Sequence, residues 1–506
     1  MHADPLFIVP DMIRIHAEEQ PNKTALIQGD IQLNYAEFDK QIDAIAAALQ
    51  HAGIEPEDTI ALCGVNSISY AVLFIGALRA GVVSALIAPS STTDGITAMT
   101  RDSGAKILFI DKALASDSPE LLNIGIPTFS LDTEGTKHFI SDAPSTPEPV
   151  AINPKWAFNI IYSSGTTGAP KGIVQSHGMR SGHVGRAGAG FGYSADAVTM
   201  IATPLYSNTT LVSFVPAIAL GGTIVLMGKF DAATYLGLAE KHRATHAMLV
   251  PVQYKRIMDV ANFDTYDLSS FQVKFCTSAP FSGALKADIL ARWPGGLVEF
   301  YGMTEGGGTC ILVAHQHRDK LETVGVPAEG HDIRLIDDDG IEVESGKMGE
   351  IVGASEVMMD GYKGLPEKTR EAEWYDTTGK RFIRTGDIGR FDRDGFLTLM
   401  DRKKDMIISG GFNIYPSDLE AELLKHSAVS DAAVVGVPSE DWGETPVAYI
   451  VLKAGANKDS GAIKSWLAER VGKTQRLHDI VFTPDLPRSA IGKILKRELR
   501  DSYAAE

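Results

Sequence analysis

Five short segments stand out for their hydroxyl, glycine and charged residues, and the first two suit a polyphosphate and its metal. The first, residues 160–172, reads IIYSSGTTGAPKG. A β-type apolar run leads into Ser163, Ser164, Gly165, Thr166, Thr167 and Gly168, and Lys171 follows before Gly172. Glycines let backbone N–H groups converge on an anion, hydroxyls add donors, and a lysine adds charge. No Gly-Lys-Ser/Thr closes the run, so it is not a Walker loop. By composition alone it would equally be a flexible turn. In Phe300-Tyr301-Gly302-Met303-Thr304-Glu305, an aromatic able to cover a base face precedes a hydroxyl and a carboxylate suited to Mg²⁺ and its phosphates. Arg384-Thr385-Gly386-Asp387 puts an aspartate after a glycine, ordinarily a turn former. The charged run Asp401-Arg402-Lys403-Lys404-Asp405, followed by Ser409-Gly410-Gly411-Phe412, would by itself be a solvated linker. Lys493, in LPRSAIGKI (486–494), would by default be a surface lysine.

These residues need a scaffold, and the chain is long enough to supply one. Its 506 residues allow about three folding units. With 44% hydrophobic and 22% charged residues it is an ordinary globular composition, which excludes global disorder and collagen-like repeats. Three dispersed cysteines exclude a disulfide scaffold and fit a reducing, cytoplasmic setting. The net charge of −17 lacks the footprint of a nucleic-acid binder. The first residues lack a basic start and a long apolar run, so no secretory signal is expected. The longest uncharged stretch, 197–228, is interrupted by prolines and glycines, and is expected to be a buried helix (209–220) and strand (223–228) rather than a membrane span.

Strands at 59–63 and 107–110 flank a buried helix at 70–80, and a further helix covers 40–52 and stops at Gly53. Such alternation implies α/β layers. The proline-rich stretch 141–150 reads as a linker. From 333 to 400, short β segments with turn signals suggest a small β-rich subdomain. After Arg402 a compact α+β module begins. Ser417 and Glu420 read as a capping box. Strands at 431–437 and 446–453 follow, then an amphipathic helix at 460–471 with Ile463, Trp466, Leu467 and Val471 on one face. The expected fold is therefore a large α/β N-terminal domain (1–401) with a β-rich subdomain, joined by a hinge to a smaller α+β C-terminal domain (402–506).

The string at 160–172 closely resembles the phosphate-loop signature of the adenylate-forming superfamily, which includes acyl-CoA synthetases, peptide-synthetase adenylation domains and firefly-type luciferases. The other four segments resemble that family's later motifs in their order, and the resemblance covers nearly the whole chain. It implies two half-reactions. A carboxylate attacks the α-phosphate of ATP to give an acyl-adenylate and pyrophosphate; a thiol, usually that of coenzyme A, then takes the acyl group. It also implies roles. Ser163 to Gly168 and Lys171 would hold the β/γ-phosphates, and Glu305, with Thr304, would hold Mg²⁺. Tyr301 and Gly302, with Ser278, Ala279 and Pro280, would line the nucleotide, and Asp387 and Arg402 would hold the ribose. Lys493 would bridge the carboxylate and the α-phosphate. Lys404 would be the hinge about which the C-terminal module rotates, bringing Gly410 and Gly411 to the thiol tunnel. Tyr206, Ser207, Asn208, Met248, Met303 and Gly307 would line the acid.

Several positions depart from the family pattern. Ser207 stands where many relatives have His, Thr277-Ser278 replaces a glycine pair before Ala-Pro, Phe412 replaces Glu, and Thr474-Gln475-Arg476-Leu477 replaces Tyr-Lys-x-Pro. His315/His317 and His242/His246 lack supporting ligands for a transition metal. The function expected is an AMP-forming carboxylate–CoA ligase using ATP, Mg²⁺ and coenzyme A. A stand-alone enzyme loading a carrier protein is the alternative, and an inactive binding protein a remote one. The pocket segment 203–212 has no carboxylate to pair an amino-acid ammonium, and no Arg or Lys for a second carboxylate. An aryl or fatty monocarboxylic acid is favoured, with Ser207 and Gly306 to Gly308 suggesting a roomy pocket. No nucleic-acid partner or transmembrane segment is expected; a homodimer is left open.

Overall fold

A computed structural model describes residues 7–163, 171–409, 412–440, 442–472, 475–489 and 492–504, with Ser163 and Asn413 described by backbone alone. Among the described residues the strands form four sheets. The first has at its centre six parallel strands, Gly296–Gly302, Val273–Cys276, His246–Leu249, Val198–Ile201, Thr223–Leu226 and Thr24–Gln28, in that spatial order. The second runs Gly361–Tyr362, Lys171–Ser176, Ala157–Ser163, Val83–Ile87, Thr59–Cys63, Ala105–Ile110 and Thr128–Ser130. Its parallel strands are apolar along their length because helices cover both faces; Thr59–Cys63 and Val83–Ile87 are buried throughout.

Helices sit where the periodicity put them. Ile68–Arg79, apolar nearly all round, is wedged into the largest core, and Ser67 caps it by accepting from the Tyr70 N–H. Tyr35–His51 starts earlier than its apolar periodicity suggests, because Asn34 and Glu37 form a capping box. The uncharged stretch becomes helix Asn208–Ala219 and strand Thr223–Leu226. No helix among the described residues is long and apolar enough to cross a membrane.

The β-rich region is an antiparallel sheet of Asp332–Ile336, Gly349–Ala354, Arg381–Phe391 and Glu373–Tyr375, with Leu397–Arg402 paired to Arg381–Phe391. The last sheet holds Ile407–Ser409, Phe412–Ile414, Val429–Ser439, Gly443–Leu452 and Asp479–Phe482. Helix Ser460–Ala468 turns Ile463 and Leu467 into its core, with Trp466 and Val471 packed at the margin. The capping box expected at Ser417 and Glu420 is absent. The helix begins two residues earlier than that cap implies, at Pro416, where a missing N–H costs nothing. Ser417 instead donates its hydroxyl to the Met400 carbonyl, and Glu420 pairs with Lys496 at 2.9 Å and accepts from Val434 N–H.

Candidate active site

Four parallel strands of the first sheet end side by side, since Met248 is in register with Ile201, and Cys276 with both Leu249 and Glu299. The segments leaving them carry Tyr206 to Thr209, Val250 to Gln253, Thr277 to Pro280 and Met303 to Gly308. The carboxyl edge of an open α/β sheet is where ligands bind. Topology thus gathers the sequence-identified residues of these four segments onto one rim.

In the third sheet, Asp387 and Arg402 face each other across an antiparallel pair, and the guanidinium Nε lies 3.0 Å from Asp387 Oδ1. The Tyr301 hydroxyl donates to Asp387 Oδ2 at 2.9 Å, so both carboxylate oxygens are engaged. Burial, then the Asp387 charge, pushes the Tyr301 phenol well up, which keeps it a donor. Glu305 accepts from the Tyr362 hydroxyl at 2.9 Å through Oε1. Lys171 Nζ stands 4.9 Å from the centre of the Tyr362 ring. Tyr362 therefore touches a residue of each of the first two motifs, and nothing in its local sequence marks it. It reaches them because Gly361–Tyr362 pairs with Val174 and Ile173 beside Lys171.

A second group escaped the sequence reading. Arg180, fully buried, donates through Nε and Nη2 to Asn159 Oδ1 and through Nη2 to Gln175 Oε1. Burial holds its guanidinium down at about 9, and among the described residues no carboxylate pairs with it. Gln175 in turn donates to the Thr304 carbonyl at 2.8 Å and to Asn208 Oδ1 at 3.5 Å. This network anchors the backbone of one site loop to the start of another.

Among the residues expected to line the acid, Ser207 sits at the N-cap of helix Asn208–Ala219 without a side-chain cap bond. Tyr206 packs on the main core, near Ser90 and Cys63, and burial pushes its phenol up to about 12. Met248 is buried. Ser278 has φ +83°, and its hydroxyl lies 2.5 Å from that of Thr209. Gly306 to Gly308 do not open space, contrary to the expectation of a roomy pocket. A methyl on Gly306 would lie 2.2 Å from the Val357 carbonyl oxygen, on Gly307 2.6 Å from Ile383, and on Gly308 2.4 Å from Ile333. The glycines let this loop press against the β-rich sheet.

Residues 403–406 alone connect Leu397–Arg402 of the third sheet to Ile407–Ser409 of the fourth. Lys403 is tied to Asp338 at 2.8 Å and Glu350 at 3.2 Å; Lys404 is exposed. Lys493 rides on a turn closed by Ser489 N–H to its carbonyl at 2.8 Å, with Arg488 donating to the Gly492 carbonyl and pairing with Asp431. Gly492 (φ +77°) lies so close to helix Pro251–Met258, which follows strand His246–Leu249, that a methyl there would be 2.9 Å from Val252. The turn thereby sets Lys493 among Arg402, Asp387, Glu305 and Lys404. Its side chain keeps an accessible face, yet it stands in a cleft. The surrounding protein, then Arg402, pushes its ammonium below the ordinary lysine value, while Asp387 and Glu305 oppose. Ser164 to Gly168, Gly410 and Gly411 lie outside the described residues.

Residues 13–363 match the AMP-binding enzyme family, and residues 418–493 match the AMP-binding enzyme C-terminal domain. The chain belongs to the AMP-binding enzyme family. It is 32% identical to a feruloyl-CoA synthase of Amycolatopsis over 96% of this chain and 97% of that one. It is 31% identical to a 4-coumarate-CoA ligase of Narcissus pseudonarcissus over 99% and 96%. ATP-bound MatB from Rhodopseudomonas palustris superimposes with a TM-score of 0.89 at 26% identity, over 98% of this chain and 99% of that one. Within the family this enzyme is of the acyl-CoA synthetase branch, an ATP-dependent, AMP-forming acid–thiol ligase.

Proposed function

We propose that the enzyme converts an aryl monocarboxylic acid to its CoA thioester, with residues 1–401 binding ATP and acid and residues 402–506 supplying Lys493. The observation that carries this is the convergence of Lys493 with Asp387 and Arg402 of the third sheet and Glu305 of the loop after Gly296–Gly302. The aryl reading is supported by relatives named for feruloyl and 4-coumarate substrates, and by a pocket segment, 203–212, without Arg, Lys or carboxylate.

In this reading Asp387 accepts from the ribose hydroxyls once Arg402 and Tyr301 have fixed its orientation. Lys171 neutralises the outer phosphates. Lys493 holds the incoming carboxylate against the α-phosphate and offsets charge as it spreads in the transition state, since phosphoryl transfer is chiefly positioning and electrostatics. Mg²⁺ suits Glu305. Its Oε1 is occupied by Tyr362, and no group of three His, Cys, Asp or Glu side chains gathers among the described residues. One carboxylate plus substrate phosphates is how Mg²⁺ is usually held, and the ion would neutralise phosphate charge there.

The test is pyrophosphate release over a panel of aryl, fatty, dicarboxylic and amino acids, with coenzyme A or a carrier protein as thiol acceptor. Aryl acids with coenzyme A should be preferred; carrier-dependent turnover would instead favour a loading enzyme. Lys493→Ala should lower pyrophosphate release on the order of 10²–10³-fold and leave thioester formation from supplied acyl-adenylate near the parent rate. Equal loss in both steps would remove the step-specific role.

A further inference from the structure

Two opposite charges meant for one Mg·ATP face a physical problem before the ligand arrives. A lysine and a glutamate within reach of each other close into an ion pair, which binding must then break. No ion pair joins Lys171 and Glu305 among the described residues, and Tyr362 touches both. Its hydroxyl occupies one Glu305 oxygen at 2.9 Å, and its ring face receives the Lys171 ammonium at 4.9 Å. A ring face attracts a cation without consuming its N–H donors. A phenol donating to one carboxylate oxygen leaves the other free.

The tyrosine is itself held by backbone on both sides. Met359 N–H donates to the Glu305 carbonyl at 2.8 Å, and Lys363 N–H donates to the Gly172 carbonyl at 2.8 Å. Thr369 Oγ1 accepts from Tyr362 N–H at 3.0 Å. Residues 359–363 thus form a strap between the loop after the first sheet and the phosphate strand of the second, with Tyr362 in its middle.

We propose that Tyr362 is a positioning residue, a neutral spacer that satisfies Lys171 and Glu305 separately and stops them from pairing with each other. This rests on the reading of Lys171 as a phosphate ligand and Glu305 as the Mg²⁺ ligand. The experiment titrates metal-free ATP and Mg·ATP by calorimetry into the parent, Tyr362→Phe, Tyr362→Leu, Glu305→Gln and Tyr362→Leu/Glu305→Gln. Tyr362→Phe keeps the ring and loses the hydroxyl. It should raise the Mg²⁺ concentration for half-maximal pyrophosphate release several-fold and leave metal-free ATP binding unchanged. Tyr362→Leu should weaken metal-free ATP binding about five- to tenfold, because Lys171 is then captured by Glu305. Adding Glu305→Gln removes the captor and should restore binding to the level of Glu305→Gln alone. Failure of that rescue, or an unchanged Mg²⁺ requirement in Tyr362→Phe, overturns the spacer. Should the leucine variants not fold, the phenylalanine titration decides alone. If Glu305→Gln by itself leaves the Mg²⁺ requirement unchanged, the metal assignment fails instead.

Discussion

Lys493 is a lysine whose surroundings work against its charge. Its pKa is held low chiefly by desolvation and by Arg402. In the role proposed for Lys493 the ammonium is the active form, so adenylate formation should decline on the alkaline side at a lower pH than an ordinary lysine would dictate. Single-turnover pyrophosphate release against pH checks this, and thioester formation from supplied adenylate should lack that limb. Ser278 departs from ease in another way. Its φ of +83° disfavours any side chain, so Ser278→Gly should stabilise the fold by about 1 kcal/mol in denaturant titrations. Loss of the hydroxyl beside Thr209 should also change the ranking of acids. The charged residues were legible because their spacing survives in the chain as motifs. Tyr362, Gln175 and Arg180 were not, since they lie outside those motifs and acquire their roles only through partners distant in the chain. Ser278's strain was invisible for the same reason: side-chain type does not report φ.

At the scale of elements, the strands and helices of the α/β layers were readable because burial on both faces demands long apolar runs, as in Thr59–Cys63 and Ile68–Arg79. Local rules failed where tertiary partners offered something better. Ser417 and Glu420 have capping-box spacing, yet the Met400 carbonyl and Lys496 claim their side chains. Gly306 to Gly308 suggested room and instead allow close packing. The turn at 488–494 has a similar glycine. Gly492 combines φ +77° with a near contact to Val252, so Gly492→Ala should push the turn off helix Pro251–Met258. Small misplacements of a catalytic group can cost about 10²-fold, and we expect a loss of that order in adenylate formation alone. A matching loss in thioester formation would mean that the turn matters for folding, not for docking.

For the whole molecule, residues 403–406 are the covalent link between the β-rich sheet and the C-terminal sheet, and Lys404 lies exposed within it. Proline fixes φ and removes an N–H. Lys404→Pro should therefore keep the present orientation, with Lys493 at the nucleotide side, preserve adenylate formation and slow thioester formation by orders of magnitude. Transfer from preformed adenylate at the parent rate would show that the pivot lies elsewhere. The depressed ammonium of Lys493 has a consequence for that swing. In the proposed rotation the C-terminal module undocks, the side chain leaves Arg402 and the cleft, and its affinity for hydrogen ions rises. Undocking is thus coupled to proton uptake, and the docked form binds fewer protons than the undocked one. Alkaline solution should shift the ligand-free population toward docking and milder pH toward release, a tilt readable as distance between dyes on the two modules and flattened by Lys493→Met. If the proposed rotation occurs, the swing would in that sense be a proton-linked equilibrium.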